Sequence, residues 1–280
     1  MSIRLIALDL DGTLLDSKKN LPERNRESLL ECVRQGIHVV PCTGRNVVGV
    51  PDEVRQIPGI RYAITVNGGI LADMEKNQVL DERLISPETA VEIYDMVSQY
   101  HVMCDAYIQG GGISRRYCFE HMDEYGVAPE VQEIVRRTRV PVDSVRGYIK
   151  EHNCKVEKLN MFFSHPEERA QVRRKLEERG DVLISSAFSY NLEINGFGAT
   201  KGEGLLRLAQ ILGVKQEETM AFGDGENDFS MIEKAGIGVA MANGEEKLKE
   251  RADYIAPSND DAGVAQIIEK LVLSHSRSDS

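Results

Sequence analysis

The chain has 280 residues, of which 41% are hydrophobic and 28% charged, a composition typical of a soluble globular protein long enough for two domains. Its formal net charge of −11 argues against a nucleic-acid partner, no run reaches the roughly 18 apolar residues of a membrane span, and the first residues do not resemble a secretory signal. Five cysteines without a C-x-x-C pair are typical of reduced thiols, so we expect a cytoplasmic protein. From the charge and the absence of a long apolar run, we expect that it binds neither nucleic acid nor a membrane.

Strand and helix patterns alternate in the first third of the chain. The pattern predicts strands over residues 3–10, 37–45 and 61–69, a helix over 22–36, and a small hairpin over 70–84. This alternation predicts right-handed crossovers and a parallel sheet with helices on both faces.

From about residue 84 the pattern changes to that of an antiparallel α+β module. We expect helices over 86–100 and 165–180, strands over 102–109, 158–164, 181–187 and 190–196, and a flexible turn at glycines 110–112. The last third alternates again, with helices over 200–214, 230–236 and 247–252 and strands over 219–228 and 237–244, and residues 253–260 and 262–273 complete the domain. We therefore predict a doubly wound α/β core from residues 1–83 and 191–273, an inserted module at 84–190, and a disordered tail at 274–280.

Four of the predicted strands end in unusual polar or glycine-rich tips. These tips are Asp9–Thr13, Thr43–Arg45, Val66–Gly69 and Gly223–Asp228. Ligands of an open parallel sheet bind outside the carboxyl ends of its strands, so the tips predict one site at one edge. A single D-x-D is commonly a solvated turn, and Lys201 alone would be interpreted as a surface lysine beside a helix start. Because four tips occupy matching positions, we favour a functional role for both the D-x-D pattern and Lys201.

The residue types at these tips indicate a metal and a phosphoryl group. Clustered carboxylates repel one another unless a hard cation binds, and Mg²⁺ prefers oxygen ligands, for which Asp9, Asp224 and Asp228 are candidates. A phosphoryl group would be bound by the Thr43 hydroxyl, by backbone N–H groups after Asp9 and Thr43, and by the charge of Lys201. Arg45 either contacts substrate or pairs with an acid, and Asn67 either orients the nucleophile loop or completes a turn.

In chain order, "DLDGT", the threonine of "TGR", the lone Lys201 and "GDGEND" resemble the four motifs of the haloacid dehalogenase (HAD)-like phosphohydrolases. The tip "VNGG", the position of the insert, "LEINGFGATKGEGL" and "VAMANG" resemble the Cof-type, or class IIB, branch of that superfamily. The resemblance implies a Rossmann-like core and an inserted α+β type-2 cap at 84–190 that selects the substrate.

The resemblance also implies roles for individual residues. Asp9 would be the nucleophile that forms an aspartyl-phosphate, and Asp11 would protonate the leaving oxygen and then activate water. Magnesium would be held by Asp9, the main-chain carbonyl of Asp11 and Asp224, with support from Asp228. The transferring phosphoryl group would be bound by Leu10, Thr43, Gly44, Lys201 and Asn227.

The leading function is a Mg²⁺-dependent phosphatase of a small phosphorylated metabolite, with a sugar phosphate as the first candidate substrate. The alternatives are a phosphomannomutase-like phosphotransferase and a phosphatase for pyridoxal phosphate or flavin mononucleotide. A signalling receiver shares the acidic cluster, the threonine and the lysine, but it lacks the second acid and is about half as long. A dinucleotide-binding module would need a G-x-G-x-x-G after the first strand, which is missing. The sequence does not indicate the oligomeric state.

Overall fold

A computed structural model describes residues 2–186 and 188–274. The chain divides into two compact units. We call Met1–Glu82 with Thr200–Ser280 the core unit, and Arg83–Ala199 the inserted unit. The two parts of the core unit are separated in sequence by the whole inserted unit.

The strands within the described ranges are β1 (Leu5–Leu8), β2 (His38–Pro41), β3 (Tyr62–Thr65), β4 (Ile70–Asp73), β5 (Gln78–Glu82), β6 (Val102–Ile108), β7 (Gly111–Arg115), β8 (Arg139–Val142), β9 (Lys158–Phe163), β10 (Val182–Ser185), β11 (Asn191–Gly196), β12 (Thr219–Gly223), β13 (Ile237–Met241) and β14 (Tyr254–Ala256). The α-helices are α1 (Glu23–Arg34), α2 (Asp52–Arg55), α3 (Pro87–Val97), α4 (Arg116–Glu120), α5 (Pro129–Thr138), α6 (Val145–His152), α7 (Pro166–Arg179), α8 (Lys201–Ile211), α9 (Phe229–Lys234), α10 (Glu246–Lys249) and α11 (Gly263–Ile268). Short 3-10 helices cover Val47–Gly49, Val66–Gly68, Met122–Tyr125, Gln216–Glu218, Glu226–Asp228 and Asn259–Asp261, and a π-helical turn covers Glu269–Leu273.

The core unit is built on a five-stranded parallel sheet in the order β14-β13-β12-β1-β2. All four residues of β1 are fully buried, because helices cover both faces of the sheet. Ile6 and Leu8 pack in a cluster with residues of α1 and α11, and Leu5 and Ala7 pack in another with residues of α8 and α9. The predicted α/β class with a parallel sheet is confirmed.

The third predicted strand differs from the expectation of a regular parallel ladder. Beside β2 it forms a parallel bridge between Ile64 and Cys42, the residue that follows β2, and the N–H of Thr43 donates to the Ile64 carbonyl at 2.9 Å. Its regular pairing is antiparallel, with β4, and β4 pairs in turn with β5 as the predicted hairpin. One reason is that the N–H groups of His38 and Cys42 donate toward β1, while Pro41, whose position faces the other side, has no N–H to donate to β3.

Helix ends follow the local chemistry read from the sequence. Ser86 caps α3 by accepting a hydrogen bond from the N–H of Thr89 at 3.1 Å, and Pro87 occupies the first helical position. Gly180 ends α7 with φ of +68°, a conformation that glycine adopts without a steric cost.

The inserted unit contains a six-stranded sheet in the order β10-β11-β9-β6-β7-β8, antiparallel except for the β7–β8 pair. The predicted core boundary at residue 191 was misplaced, because β11 pairs with β9 and β10 in this sheet. The unit ends at Ala199 instead.

The predicted glycine turn at 110–112 is also corrected. The turn between β6 and β7 lies at Gln109 and Gly110, with φ of +50° and +78°, while Gly111 and Gly112 belong to β7. A Cβ at Gly112 would lie 2.1 Å from Cδ of Arg139, so glycine there makes room for that side chain.

At the C-terminal end, residues 275–280 of the predicted disordered tail lie outside the described residues. Ser274, the first residue of that predicted tail, is described, and its hydroxyl donates to the carbonyl of Lys270 at 2.6 Å. Within 2–186 and 188–274, no helix has the length and apolar character needed to cross a membrane.

Candidate active site

The first tip follows β1 and turns sharply at Gly12. This residue has φ of +86°, and a Cβ there would lie 2.4 Å from Oδ2 of Asp224. Glycine is therefore required both for the backbone conformation and for the close approach of the fourth tip. The hydroxyl of Thr13 donates to Oδ1 of Asp224 at 2.8 Å, which joins the first and fourth tips directly.

Lys201 is fully buried and begins α8, which Thr200 caps by accepting a hydrogen bond from the N–H of Glu203. Its Nζ lies 2.6 Å from Oδ1 of Asp9 and 2.6 Å from Oδ1 of Asp228. Burial disfavours the charged ammonium, but the two carboxylates outweigh it and raise the pKa of Lys201 above its usual value. The lysine is therefore a buried cation paired with two acids, which contradicts its interpretation as a surface residue.

The two acids that contact Lys201, Asp9 and Asp228, form a cluster with a third carboxylate, Asp224. Asp9, Asp224 and Asp228 each offer one oxygen, and these oxygens all lie within 4.8 Å of one another. Oδ2 of Asp228 accepts hydrogen bonds from the N–H groups of Asp224 and Gly225 at 2.9 and 3.0 Å. These carboxylates are the kind of donor set that a hard divalent cation prefers.

The electrostatics of the triad fit a bound cation. Burial raises the pKa of Asp9 to about 8, because desolvation and the negative charges of Asp228 and Asp224 outweigh the attraction of Lys201. Burial also raises the pKa of Asp224, and the charge of Asp228 adds to the effect. One lysine is thus insufficient to hold the pKa values of Asp9 and Asp224 at their usual level, and a divalent cation would supply the missing positive charge.

Asp11 lies in a different electrostatic environment. Arg45 forms a bidentate pair with its carboxylate, in which Nε donates to Oδ2 at 2.9 Å and Nη2 donates to Oδ1 at 2.7 Å. Nζ of Lys19 also lies 2.8 Å from Oδ1. Partial burial opposes ionisation, but these two cations hold the pKa of Asp11 below its usual range. Of the two alternatives predicted for Arg45, the structure shows the pairing with an acid. The two acids of the first tip are therefore held by different partners.

The second and third tips are joined through Asn67. This residue has φ of +56° in the turn after β3, its N–H donates to the Thr43 carbonyl at 3.0 Å, and its Oδ1 accepts a hydrogen bond from Asn227 at 3.1 Å. A Cβ at Gly44 would lie 2.9 Å from Oδ1 of Asn67, so the second tip needs glycine at that position. Asn67 thus completes a turn and orients Asn227, instead of contacting the nucleophile loop directly.

Thr43 and Leu10 occupy buried positions beside these turns. The Thr43 side chain is almost completely buried, and its hydroxyl accepts a hydrogen bond from the N–H of Arg45 at 3.1 Å. The Leu10 side chain is fully buried in the core cluster, so only its backbone is available to the site. Its carbonyl accepts hydrogen bonds from the N–H groups of Thr13 and Leu15.

Several residues that shape the site were missed in the sequence. Asn243 donates from Nδ2 to the Gly12 carbonyl at 2.8 Å and accepts a hydrogen bond from the N–H of Asn259 at 3.0 Å. Asn259 in turn donates to the Leu15 carbonyl at 2.9 Å. Thr13 lies in the first tip and contacts Asp224 of the fourth tip, and Lys19 follows the first tip and contacts Asp11. No motif spacing in the sequence indicates either contact.

Comparison with known proteins identifies the family to which the chain belongs. The family described as haloacid dehalogenase-like hydrolase matches residues 6–268. The putative phosphatase YxeH of Bacillus subtilis (strain 168) is 31% identical over 282 residues, covering 97% of this chain and 99% of the relative. The 5-amino-6-(5-phospho-D-ribitylamino)uracil phosphatase YcsE of the same strain is 28% identical over 275 residues, covering 98% and 97%.

Solved structures agree with this result. The crystal structure of a haloacid dehalogenase-like hydrolase from Bacteroides thetaiotaomicron superposes with a TM-score of 0.79 at 29% identity, covering 96% of this chain and all of that chain. The family predicted from the four motifs is therefore confirmed. The chain is an enzyme of the haloacid dehalogenase-like hydrolase family.

Proposed function

We propose that this enzyme is a Mg²⁺-dependent phosphatase that hydrolyses a small phosphomonoester through a phosphorylated Asp9. The observation that carries the proposal is the separation of the two acids of the first tip. Asp9 contacts the buried Lys201 and belongs to the acidic triad, while Asp11 is held by Arg45 and Lys19. Nucleophilic catalysis followed by proton transfer needs two such acids in distinct environments.

The magnesium ion would be held by Asp9, Asp224 and the main-chain carbonyl of Asp11, with Asp228 in support. When bound, it would supply positive charge that keeps Asp9 ionised and stabilises the negative charge of the transferring phosphoryl group. Lys201 would fix the orientation of Asp9 through Oδ1 and add a second positive charge at the same place.

In the first half of the reaction, the Asp9 carboxylate attacks phosphorus as the bond from phosphorus to the ester oxygen breaks. For this step Asp11 would first leave its pairing with Arg45 and Lys19 and take up a proton from solvent. It then gives that proton to the leaving oxygen, so the alcohol departs neutral. In the second half, water attacks the phosphorus of the aspartyl-phosphate while Asp11 takes a proton from that water. Inorganic phosphate leaves, and Asp9 is restored as a carboxylate.

The phosphoryl group would be bound by Lys201, the Thr43 hydroxyl, the Asn227 amide and the backbone N–H groups of Leu10 and Gly44. Support for this set comes from the contact of Lys201 with Asp9 and from the positions of the other groups in the first, second and fourth tips. Asn67 would act through Asn227, because its Oδ1 accepts a hydrogen bond from the Asn227 amide. Arg45 would act through Asp11, to which it donates a hydrogen bond. All of these groups belong to the core unit.

The inserted unit would select the substrate, and we propose a sugar or sugar-alcohol phosphate. The name of the relative YcsE supports this class, because its substrate carries a phosphate on a ribityl chain. Pyridoxal phosphate, flavin mononucleotide and phosphate transfer of the phosphomannomutase type are the alternatives that an experiment must separate.

The test is a panel of phosphorylated metabolites assayed with Mg²⁺, in which both free phosphate and rearranged sugar phosphates are measured. We expect release of phosphate from at least one polyhydroxylated phosphomonoester, and loss of that release when a chelator removes the metal. Movement of labelled phosphate between sugar positions without release would instead indicate a phosphomutase. Release that persists unchanged in chelator would contradict the role given to the metal.

A further inference from the structure

A polar side chain occupies the buried face of α1. Asn25 is fully buried on the same side of that helix as Leu29 and Cys32. Its Nδ2 donates to the Leu14 carbonyl at 2.9 Å, and its Oδ1 accepts a hydrogen bond from the N–H of Ala265, near the start of α11, at 3.0 Å. A buried amide is costly unless it is hydrogen-bonded. What asparagine adds at this position is therefore a fixed link between α11 and the main chain that follows the first tip.

Two more asparagines hold the same stretch of main chain. Nδ2 of Asn259 donates to the Leu15 carbonyl at 2.9 Å, and Nδ2 of Asn243 donates to the Gly12 carbonyl at 2.8 Å. The two asparagines are themselves linked, because Oδ1 of Asn243 accepts a hydrogen bond from the Asn259 N–H at 3.0 Å. Asn259 is buried, whereas Asn243 is exposed. We call Asn25, Asn243 and Asn259 the asparagine set.

The loop that the asparagine set holds also closes on itself. The N–H of Leu14 donates to the Asp9 carbonyl at 3.2 Å, and that of Leu15 donates to the Leu10 carbonyl at 3.0 Å. Among the described residues, none donates a hydrogen bond to the carbonyl of Asp11. The carbonyls before and after Asp11 are therefore held, while its own carbonyl is available to a ligand.

We propose that the asparagine set positions the main-chain carbonyl of Asp11 as a ligand of the magnesium ion. The inference rests on the proposed function, because that function assigns this carbonyl to the metal. The three amides donate to main-chain carbonyls of the loop and not to the carboxylates of the triad, so they act through the main chain. Partners that orient a metal ligand typically contribute about 10- to 100-fold to metal affinity.

The experiment measures the dissociation constant of Mg²⁺ by calorimetric titration without substrate, so that binding is measured separately from turnover. Asn25→Leu replaces the buried amide by an apolar group of similar size, and Thr219→Val is its matched control. The Thr219 side chain is also fully buried in the core unit, and its hydroxyl donates to the Gln216 carbonyl at 2.6 Å and accepts from the Gly236 N–H at 3.0 Å. Thr219 begins β12, so it lies at the end of that strand away from the fourth tip.

A second pair of variants leaves the interior intact and decides the question if Asn25→Leu does not fold. Asn243→Ala removes an exposed amide that donates to a main-chain carbonyl at 2.8 Å. Gln216→Ala removes another exposed amide, whose Nε2 donates to the Lys234 carbonyl at the same distance of 2.8 Å. Thermal unfolding in a chelator shows whether each variant is folded at the temperature of the titration and how far it is destabilised.

We expect the dissociation constant of Mg²⁺ to rise about 10-fold in Asn25→Leu and Asn243→Ala, and to change less than about 2-fold in Thr219→Val and Gln216→Ala. The Mg²⁺ concentration that half-activates hydrolysis of p-nitrophenyl phosphate should rise by the same factor, while saturating Mg²⁺ should restore most of kcat. A loss of structure alone would not produce this division, because added metal would not correct it in the variants and spare the controls.

Wild-type affinity for Mg²⁺ in the folded asparagine variants, or an equal loss of affinity in the two controls, would overturn the inference and leave the phosphatase intact. A fall in kcat that saturating Mg²⁺ does not restore, with unchanged affinity, would also overturn it, because the asparagine set would then act on another step. A wild-type protein that neither binds Mg²⁺ nor releases phosphate in its presence would overturn the proposed function as well.

Discussion

The Nζ atom of Lys201 lies 2.6 Å from Oδ1 of Asp9, and both side chains are buried. Ion pairs in the interior carry a large desolvation cost, which is acceptable at an active site because it fixes the charges that catalysis needs. The same ammonium also contacts Asp228, so one lysine links the first and fourth tips. The stability of the site and its chemistry thus depend on the same contacts.

Replacement of Lys201 tests this dependence. Lys201→Met removes the cation between Asp9 and Asp228, so the free energy of unfolding without metal should fall by about 3 kcal/mol, the scale expected when a buried pair loses one partner. Turnover of an aryl phosphate should fall by at least about 10²-fold, because an electrostatic group at the phosphoryl site is lost. Urea unfolding and steady-state kinetics measure the two effects. Lys247→Met, at an exposed position of α10, should change neither.

Addition of MgCl₂ should raise the melting temperature of the wild-type protein, because a ligand of the folded state stabilises it. Asp224→Asn should lose most of this increment, since it removes one carboxylate of the triad. Glu226→Gln removes an exposed carboxylate from the same tip and should keep the increment. Equal metal-dependent shifts in the two variants would place the cation elsewhere.

The raised pKa of Asp9 predicts a pH dependence of stability in the metal-free protein. Its value is about 8 in the folded state against 3.8 for an unperturbed aspartate, so between these values the folded state holds a proton that the unfolded state has released. Stability should therefore fall as pH rises through this window, by about 1.4 kcal/mol per pH unit near its centre. Asp9→Asn should show a shallower fall between about pH 5 and about pH 8. Identical slopes in urea unfolding with a chelator would contradict the raised pKa.

Gly12→Ala should be more harmful than its backbone strain alone explains. Gly12 and Gly36 both have positive φ, +86° and +79°, but a Cβ at Gly36 has nothing within 4 Å, whereas one at Gly12 would strike the Asp224 carboxylate. Gly36→Ala should therefore cost about 1 kcal/mol of unfolding free energy, and Gly12→Ala about 2 kcal/mol or more. Only Gly12→Ala should also weaken the Mg²⁺-dependent rise in melting temperature. Equal effects of the two substitutions on both quantities would show that Asp224 is not constrained by Gly12.

Much of the fold of both units could be predicted from sequence where local patterns carry the information. The buried run before Asp9, the capped helix at Ser86 and the tip containing Asp224 and Asp228 carry their information within a few residues. Lys201 was identifiable only through its order among the motifs, since nothing local distinguishes it from a surface lysine. Its burial between two carboxylates is a tertiary fact.

The contacts that were missed depend on long-range packing. Asn243 reaches the Gly12 carbonyl across 231 positions of sequence, and Thr13 reaches Asp224 across 211. Contacts between residues so far apart in sequence produce no periodic pattern and no motif of fixed spacing. The boundary before β11 was misplaced for a related reason, because a strand's own sequence does not specify which sheet it joins. The positive φ of Lys19 could not be predicted from the sequence either, because lysine rarely adopts this conformation.

The most direct test of the account is the turnover of p-nitrophenyl phosphate by Asp9→Asn in saturating Mg²⁺, with thermal unfolding to show that the variant is folded. The asparagine keeps the shape of the side chain but removes the negative charge and the attacking oxygen of a carboxylate. The account predicts that kcat falls by at least about 10³-fold, because the aspartyl-phosphate cannot form. A folded Asp9→Asn enzyme with wild-type turnover would contradict the assignment of Asp9 as the nucleophile.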